Sequence, residues 1–579
     1  MYRNQNSHFA EVPRADIRRS KFKRPSSLKT SGNIGEIIPI FLDEVLPADT
    51  FQLKTSFVAR LQTLVAPIMD NLYIDTFFFY VPCRILWEHW KEFQGENTAS
   101  KWIPTADYSI PQITAPEGGW QVGTIADYLG VPTGKDISVN ALPFRAYAMI
   151  MNEFFRDENN SDYLDIPFGD ATVQGVNTGT FVTDVAKGGK PYKAAKYHDY
   201  FTSCLPSPLK GEDVLIPAGT SSSSGSLSGT FPVVGNGKNL AITDGVNVSG
   251  LRNGPDSYTP YFSFVVPNGN NVGKDLPSYA DNSAGAAISY SSLYGVASQS
   301  QLGENLENSG LIAIANQLPV SVNTSLSLGS INDLRLAFAT QHVLERDARG
   351  GSRYREMLLS HFGVVSPDAR QNIPEYLGGV HVPINVNQVV QTSGEVGNTP
   401  QGNVAAYSVT SDVSGNFIKS FTEHGYILGV AVIRYDHTYQ QGLDKLWSRK
   451  KRFDFFMPEF ANIGEQPVFN KEIYFQATDV DDEVFGYQEA WAEYRYKPSK
   501  ATSEMRSTYA RSLDVWHLGD NYNSLPILQS DWIFEDKSNL DRCLQVSSAV
   551  SNQFWADFYF DLECTRPMPV FSVPGLKTL

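Results

Sequence analysis

Two short segments come close to known catalytic motifs, and neither satisfies the pattern. Gly130–Asp136 (GVPTGKD) resembles a phosphate-binding loop, but three residues separate its glycines where four are needed, and Asp136 replaces the magnesium-binding Ser or Thr. Gly225–Gly229 (GSLSG) has Leu227 where a nucleophile elbow carries its serine. No His-Glu-x-x-His segment occurs among the nine histidines. The sequence therefore predicts no enzyme, no catalytic residues and no cofactor.

An acidic run, DVDDE at residues 479–483, begins like a calcium-binding loop. Asp479, Asp481 and Glu483 are its weak candidate ligands. The run lacks the glycine required at position six, and Ala490 stands where position twelve requires Glu. A solvated acidic turn is therefore favoured over a cation site, and we expect no metal.

A cluster of cations near the N-terminus could neutralise phosphate. Residues 1–30 carry eight basic and two acidic residues, net +6, whereas the remainder carries 39 basic and 60 acidic, net −21. Cationic side chains neutralise phosphates without reading sequence, and a nearby aromatic ring can stack on an unpaired base. The candidate nucleic-acid-binding residues are Arg14, Arg18, Arg19, Lys21, Phe22, Lys23, Arg24 and Lys29. The alternative is an ordinary solubilising terminus.

A second basic patch consists of Arg449, Lys450, Lys451 and Arg452, followed by FDFF at residues 453–456. It could face nucleic acid, pair with acidic neighbours or lie solvated on a turn. The last two interpretations together are favoured, because a run of charges is usually a solvated surface.

Composition favours a soluble, β-rich protein. Hydrophobic residues make up 42% of the 579 residues, which excludes global disorder, and the aromatic content of 12% with 45 Gly and 33 Pro is typical of short strands and turns. The four cysteines are scattered without a Cys-x-x-Cys pair, which favours free structural thiols in a reducing cytosol. We find no signal peptide and no apolar stretch of 18 residues, and so expect no membrane insertion.

The hydrophobic pattern predicts strands linked by decorated loops and a few helices. The predicted strands are Glu36–Leu42, Thr50–Leu61, Leu72–Val81 and Trp555–Glu563, the last with strict alternation. The predicted helices are Ser138–Asp157, Ile331–Arg349 and Tyr354–Phe362. Trp87, Trp90 and Phe93 have helical spacing, which indicates a core or subunit contact in which His89 is packed or hydrogen-bonded.

Several long blocks resemble the major capsid proteins of gokushovirus-type microviruses, small tailless bacteriophages with single-stranded DNA. The matching blocks, in the family's order, are Ser56–Tyr80, Asn140–Asn159, His198–Gly211, Ile331–Gly379, Arg434–Tyr474, Glu489–Lys500 and Leu513–Asn521. The resemblance thins only at Gly211–Asn323, which is rich in Gly, Ser and Asn. This family carries its large surface insertion there.

The resemblance implies a mainly β fold, an eight-stranded antiparallel jelly roll with long loop insertions and a few short helices. It divides the chain into four parts. These are a basic, DNA-facing interior arm (1–30), a first core part with helical insertions (31–210), a surface insertion forming a threefold protrusion (211–323) and a second core part with interface loops and a C-terminal arm (324–579). It also implies sixty copies in a T=1 icosahedral shell around circular single-stranded DNA. From the sequence we expect residues 1–30 to be flexible.

The resemblance further implies several partners and a location. These are a small basic DNA-packaging protein, a scaffolding protein during assembly and a host cell-surface receptor, for a protein located in the virion and assembled in the bacterial cytoplasm. If sixty arms each contribute +6, they supply about 360 positive charges, too few for a genome of thousands of nucleotides. Two alternatives are a secreted β-sandwich carbohydrate-binding protein or enzyme, and a single-stranded-DNA-binding protein.

Overall fold

The computed structural model describes residues 18–98, 107–214, 331–392, 394, 402 and 404–572, together with seven short strands between residues 220 and 327. The chain divides into two units. One comprises residues 1–213 with 341–579, and the other residues 214–340. In the described part of the chain no helix has the length and apolarity required to cross a membrane.

The first unit is built on two antiparallel sheets. Their strands are β1 (Ser20–Lys23), β2 (Ser26–Gly32), β3 (Ile38–Val45), β4 (Thr50–Leu61), β5 (Leu72–Pro82), β6 (Glu375–Pro383), β7 (Thr410–Ser420), β8 (Gly425–Tyr435) and β9 (Phe554–Arg566). In the first sheet β9 pairs with β4 on one side and with both β1 and β2 on the other. Strand β7 pairs with β4 and forms the opposite edge. The second sheet has the order β6-β5-β8-β3. The protein is thus mainly β, as the sequence predicts.

The main hydrophobic core contains the inward side chains of both sheets. On β9, Ala556, Phe558, Phe560 and Leu562 are buried, while Trp555, Asp557 and Tyr559 are exposed. The predicted alternation of this strand is therefore confirmed. Alternation arises because successive side chains of a strand point to opposite faces, and here only one face is covered.

The second sheet is covered on both faces. Ten of the eleven residues of β8 are buried, and its side chains belong alternately to the main core and to a second core. Gly429 allows this close packing, since a Cβ there would lie 2.6 Å from the ring of Phe78. The second core is completed by residues 83–194, which include the helix α1 (Leu142–Ile150).

Helix α1 is shorter than the sequence predicts. The predicted helix began at Ser138, but Ser138–Asn140 pairs as a strand with Gln112–Thr114, and the helix starts at Leu142, beside Pro143 in its first turn. It continues as a wider π-turn over Met151–Phe155. Of the predicted apolar face, Phe144, Tyr147 and Met151 are buried.

The other helices are short, with two exceptions near the unit boundary. Those two are α2 (Ile331–Gly350) and α3 (Tyr354–Phe362), both as predicted to within one residue. The short helices are Cys83–Leu86, Trp90–Phe93, Ile125–Tyr128, Asp368–Gln371, Asn470–Ile473, Ser530–Ile533 and Ser538–Asp541. The predicted aromatic stripe is a packing feature, because Trp87 contacts both Trp90 and Phe93, and His89 is hydrogen-bonded to Asp170 at 2.9 Å.

Small sheets complete the described chain. In the first unit they are Gln112–Thr114 with Ser138–Asn140 and Val173–Gln174, Val386–Val390 with Val404–Ser408, Thr438–Tyr439 with Ser499–Lys500, and Glu465–Phe469 with Val484–Glu489. In the second unit they are Thr220–Ser222 with Ser325–Ser327, Gly225–Leu227 with Val320–Val322, and Leu251–Asn253 with Pro260–Phe262 and Leu276–Pro277.

The N-terminal arm differs from its sequence-based interpretation. Residues 1–30 were expected to be flexible, but Ser20–Lys23 and Ser26–Gly32 are strands paired with β9. The cause is that Phe22 on β1 and Leu28 on β2 point inward between polar neighbours. Both pack against the main core and attach the arm to the sheet. Residues 1–17 lie outside the described residues.

A buried ionic network joins the end of β8 to later loops. His437 Nδ1 lies 3.1 Å from Asp520 Oδ1, and its Nε2 lies 3.1 Å from Glu535 Oε2. Lys196 Nζ lies 3.4 Å from Asp520, whose carboxylate also accepts a hydrogen bond of 2.8 Å from the Tyr522 hydroxyl. The four charged side chains are at most 5% exposed. Such buried charges are tolerated only when they are paired.

The network fixes the charge of its central residues. Burial alone lowers the pKa of His437, but the carboxylates of Asp520 and Glu535 outweigh burial and raise the pKa to about 9. Burial also opposes ionisation of Asp520, yet Lys196 and His437 hold the pKa of Asp520 below its usual range. His437 and Asp520 are therefore both ionised at neutral pH.

We expect the thermal stability of the protein to fall as pH rises from about 6.5 to about 9. A pKa raised by folding contributes stability that is complete below the unfolded value of 6.5 and is lost as pH passes the folded value. The variant His437→Gln should lack this part of the pH dependence. Calorimetric unfolding midpoints from pH 6 to pH 10 test this, with His342→Gln on α2 as the control. Equal slopes in wild type and His437→Gln would contradict it.

Candidate nucleic-acid interface

The outward face of the first sheet presents three of the six N-terminal cations that the structure describes, Lys21, Lys23 and Lys29. Strands β1 and β2 run antiparallel to β9, with Lys23 opposite Glu563 and Lys29 opposite Asp557. Because β1 alternates, Lys21 and Lys23 point outward while Phe22 points inward. The three lysines therefore share the solvent face with the polar side of β9.

Carboxylates of the same chain already pair with these lysines. The distances are 2.5 Å from Lys21 Nζ to Glu563, 3.3 Å from Lys23 to Asp561 and 3.3 Å from Lys29 to Asp557. The lysine side chains are 61–74% exposed. Exposed ion pairs contribute only about 0–1 kcal/mol each. A polyanion could therefore displace the carboxylates at little energetic cost.

The remaining arm residues are distributed differently. Arg24 donates to Asp43 at 2.5 Å, and Arg19 donates to the Thr50 hydroxyl at 2.6 Å. Arg18 is exposed and has no ion pair or hydrogen bond within the described chain, whereas Arg14 lies outside the described residues. Phe22 is packed against the main core and does not present its ring with the lysines. It is therefore not placed to stack on a base, contrary to the sequence-based expectation.

Four residues on this face were missed in the sequence. Lys54 and Arg60 of β4 are exposed, and on β9 Trp555 and Tyr559 are 44% and 47% exposed. Arg60 lies directly opposite Trp555 in the sheet register, and Lys54 lies opposite Asp561. The signal that could have identified them was the alternation of Thr50–Leu61 for Lys54 and Arg60, and that of Trp555–Glu563 for the two aromatic residues. We name the set of Lys21, Lys23, Lys29, Lys54, Arg60, Trp555 and Tyr559 the outer face.

The outer face combines exchangeable cations with two accessible aromatic rings. Its five cations exceed the three carboxylates of Asp557, Asp561 and Glu563 by two. Aromatic faces beside a cationic surface are the combination that binds single-stranded nucleic acid without sequence preference. The candidate interface therefore includes more residues than the sequence predicts.

In the second basic patch one residue pairs with an acidic neighbour, and the other three lie exposed on a turn. Arg449 pairs with Glu493 at 3.0 Å and lies 4.4 Å from the ring centre of Tyr494. Lys450, Lys451 and Arg452 are exposed on a turn. The backbone N–H groups of both lysines donate to Asp454 at 2.7 Å and hold the pKa of that carboxyl below its usual range. Contact of this patch with nucleic acid stays a prediction.

The acidic turn has a structural explanation that involves no cation. Asp481 is buried and accepts hydrogen bonds from the backbone N–H groups of Gln476 (3.0 Å) and Thr478 (3.1 Å). Asp479 and Glu483 are exposed. Within the described residues no group of three or more His, Cys, Asp or Glu could hold a metal ion.

The four cysteines are buried and unreactive. Cys83, Cys204, Cys543 and Cys564 are all free. Burial raises the pKa of the Cys83 and Cys543 thiols to about 12, and raises that of Cys204 further. Since the thiolate is the reactive form, these side chains act as small apolar core residues.

Most of the Gly211–Asn323 insertion lies outside the described residues. The parts that the structure describes are residues 211–214 and six of the short paired strands of the second unit, with a seventh, Ser325–Ser327, just beyond. The role of this insertion in receptor binding stays a prediction.

Comparison with known proteins identifies the family. Residues 10–576 match the family model described as "Capsid protein (F protein)". The chain is 41% identical over 569 residues to the capsid protein VP1 of Spiroplasma virus 4, covering 97% of this chain and 96% of that protein. It is 40% identical to VP1 of Chlamydia phage 1 (99% and 98% covered) and 40% identical to VP1 of Bdellovibrio phage phiMH2K (99% and 98%).

These similarities extend over nearly the whole chain at an identity that establishes common ancestry. The role of such proteins is structural and not enzymatic, they self-assemble, and they belong to the virion. The alternative of a secreted carbohydrate-binding protein or enzyme is thereby discarded. The chain belongs to the F-type capsid protein family of single-stranded-DNA phages, together with the VP1 proteins of gokushovirus-type microviruses.

Proposed function

We propose that sixty copies of this chain close into a T=1 icosahedral shell around circular single-stranded DNA, assembled in the cytoplasm of a bacterial host. The observation that carries the proposal is the similarity to three VP1 capsid proteins over at least 97% of the chain. Closed symmetry lets individually weak contacts between copies produce a stable particle.

In this proposal the structural unit of the shell is an eight-stranded jelly roll. If the edge strands β1 and β2 are counted as one strand, the first sheet has the order 1-8-3-6 and the second 2-7-4-5. The first strand thus pairs with the last, and both sheets mix early and late strands. This order supports two interlocked Greek keys, the arrangement of viral jelly rolls.

The outer face and the N-terminal arm contact the packaged DNA. This assignment is supported by the exchangeable lysine pairs and by the exposed Trp555 ring beside Arg60. The arm neutralises less phosphate charge than its formal charge of +6 indicates. The reason is that four of its cations already have carboxylate partners, namely Arg24, Lys21, Lys23 and Lys29. The shortfall is met by other cations, including a small basic packaging protein.

The Gly211–Asn323 insertion forms the threefold protrusion and binds a receptor on the host cell surface. Its neutral composition, rich in Ser, Asn and Tyr, supports adaptable polar contacts. A scaffolding protein assists assembly.

We expect the purified 64.2 kDa protein to form closed isometric particles of about sixty copies. Electron microscopy would show their shape, and analytical ultracentrifugation their mass. Assembly is to be followed with and without a scaffolding protein from the same phage. Monomers, open tubes or particles of another copy number under every condition would refute the proposed shell.

Removing the cations of the outer face and arm that lack a carboxylate partner should reduce the DNA content of particles. In the variant Arg18→Ala/Arg19→Ala/Lys54→Ala/Arg60→Ala each copy loses four positive charges, about 240 per shell of sixty. We expect the ratio of absorbance at 260 nm to that at 280 nm to fall clearly below the wild-type value.

The matched control removes two complete ion pairs and leaves the net charge unchanged. This control is Lys21→Gln/Glu563→Gln with Lys23→Gln/Asp561→Asn. It should lower the DNA content less than the four-alanine variant does, because each lysine is removed together with its carboxylate. Normal DNA content in the four-alanine variant would contradict the assignment of the outer face.

Replacing residues 220–300 by a short Gly-Ser linker should abolish adsorption to the host while leaving particles able to form. The main core and the second core contain no residue of this segment among their described members, so the first unit should fold normally. Adsorption assays and electron microscopy would be applied to the same preparation. A control replaces residues 395–401 by a linker of equal length. Unchanged adsorption of the first variant would rule out a receptor-binding role.

A further inference from the structure

An unusual distribution of exposure marks the segment from Tyr354 to Val365. Five large apolar side chains are more than half exposed: Tyr354 61%, Leu359 53%, Phe362 70%, Val364 54% and Val365 79%. We name these five residues the 354–365 patch. No residue of helix α3 is buried, and the same is true of helix α2 before it.

Two arginines at the start of α3 are less exposed than the five apolar side chains of the patch. Arg353, directly before the helix, is 14% exposed and Arg355 is 23% exposed. In a water-soluble monomer the opposite order is normal, because apolar surface gains free energy on leaving water. Apolar side chains that are more exposed than their charged neighbours are favourable only if another apolar surface covers the patch.

Polar contacts hold α3 in this orientation. Arg353 pairs with Glu158 and donates to the backbone carbonyls of Asn152 (3.0 Å) and Arg156 (2.8 Å). Arg355 donates to the carbonyl of Glu153 at 2.7 Å, and its guanidinium lies 4.6 Å from the ring centre of Phe154. The helix is therefore attached by these arginines to the π-turn that follows α1, and Tyr354, Leu359 and Phe362 are left exposed.

The patch is large enough to form the centre of a subunit interface. Taking about 150 Å² for a large side chain, its five residues expose roughly 500 Å². Soluble monomers rarely expose contiguous apolar patches above a few hundred Å². A standard interface buries about 800 Å² per partner. The patch would thus supply more than half of one side.

The chemistry of the patch fits protein better than nucleic acid. Leu359, Val364 and Val365 have no π-face on which a base could stack. The neighbouring cations are already neutralised, since Arg353 pairs with Glu158 and Glu356, and Arg355 lies 3.8 Å from Asp368.

We propose that the 354–365 patch is a contact between copies of this chain, covered in the particle by a second copy. The inference rests on the proposed shell, since it requires copies that assemble. It adds the location of one contact, which the family similarity does not provide.

The first test is the variant Leu359→Asp/Phe362→Asp. Both side chains are exposed, so the soluble chain should keep its circular dichroism and unfolding midpoint, whereas particle yield should fall more than tenfold. The control Val122→Asp/Val550→Asp alters two separate side chains outside the patch that are 76% and 80% exposed, and it should still assemble. Wild-type yield from Leu359→Asp/Phe362→Asp would overturn this inference, whereas failure of the wild-type protein to form shells would overturn the proposed function.

A second test does not depend on a disruptive substitution. In Val365→Cys the new thiol is exposed, while the four native cysteines are buried. We expect maleimide to label dissociated subunits rapidly and DNA-free particles at least tenfold more slowly. Equal labelling would overturn the proposal. Protection already present in single subunits would assign the cover to the same chain, and protection only in DNA-filled particles would assign it to nucleic acid; either result also overturns it.

Discussion

Burial of β8 on both faces is the constraint on which the rest of the structure depends. A strand whose side chains are apolar on both sides needs a cover for each. The first sheet covers one side of β8, and residues 83–194 cover the other. The long insertion after β5 is therefore part of the fold and not a surface decoration. Its helix α1 and the aromatic residues around Trp87 exist to complete this second core.

The first sheet has no such second layer within the described residues, and its outward face carries exposed lysines beside exposed rings. That asymmetry separates the functions proposed for the two sides of the molecule. The side with exchangeable lysines, Trp555 and Tyr559 suits a flexible polyanion. The second sheet is covered on both faces, and the chain between its strands forms loops and helices such as α3. Their exposed apolar residues suit contacts between copies.

Charge is used in two different ways in this chain. On the outer face the ion pairs are exposed and weak, so they can exchange with phosphate. Around His437 the pairs are buried, and loss of one partner would leave an uncompensated charge in the interior, which costs about 3–5 kcal/mol. The same residue types therefore provide adaptability at the surface and a fixed arrangement of loops in the core.

The sequence by itself determined the class of fold, the main strands and the family. Period-two alternation identified β9, and the boundaries of β4 and α3 agree with the structure, because local patterns of burial and helix capping set these elements. The ordered motif blocks identified the capsid family, because that similarity extends along the chain and needs no knowledge of contacts.

Only the tertiary structure decided which side chains share a surface. Phe22 and Lys21 are neighbours in sequence but lie on opposite faces of β1, whereas Lys29 is distant in sequence from Trp555 and Asp557 and shares one face with them. The pairing of the arm with the last strand depends on a register between the two ends of the chain. No local pattern encodes that register, so the neutralisation of the arm's lysines became visible only in the folded protein.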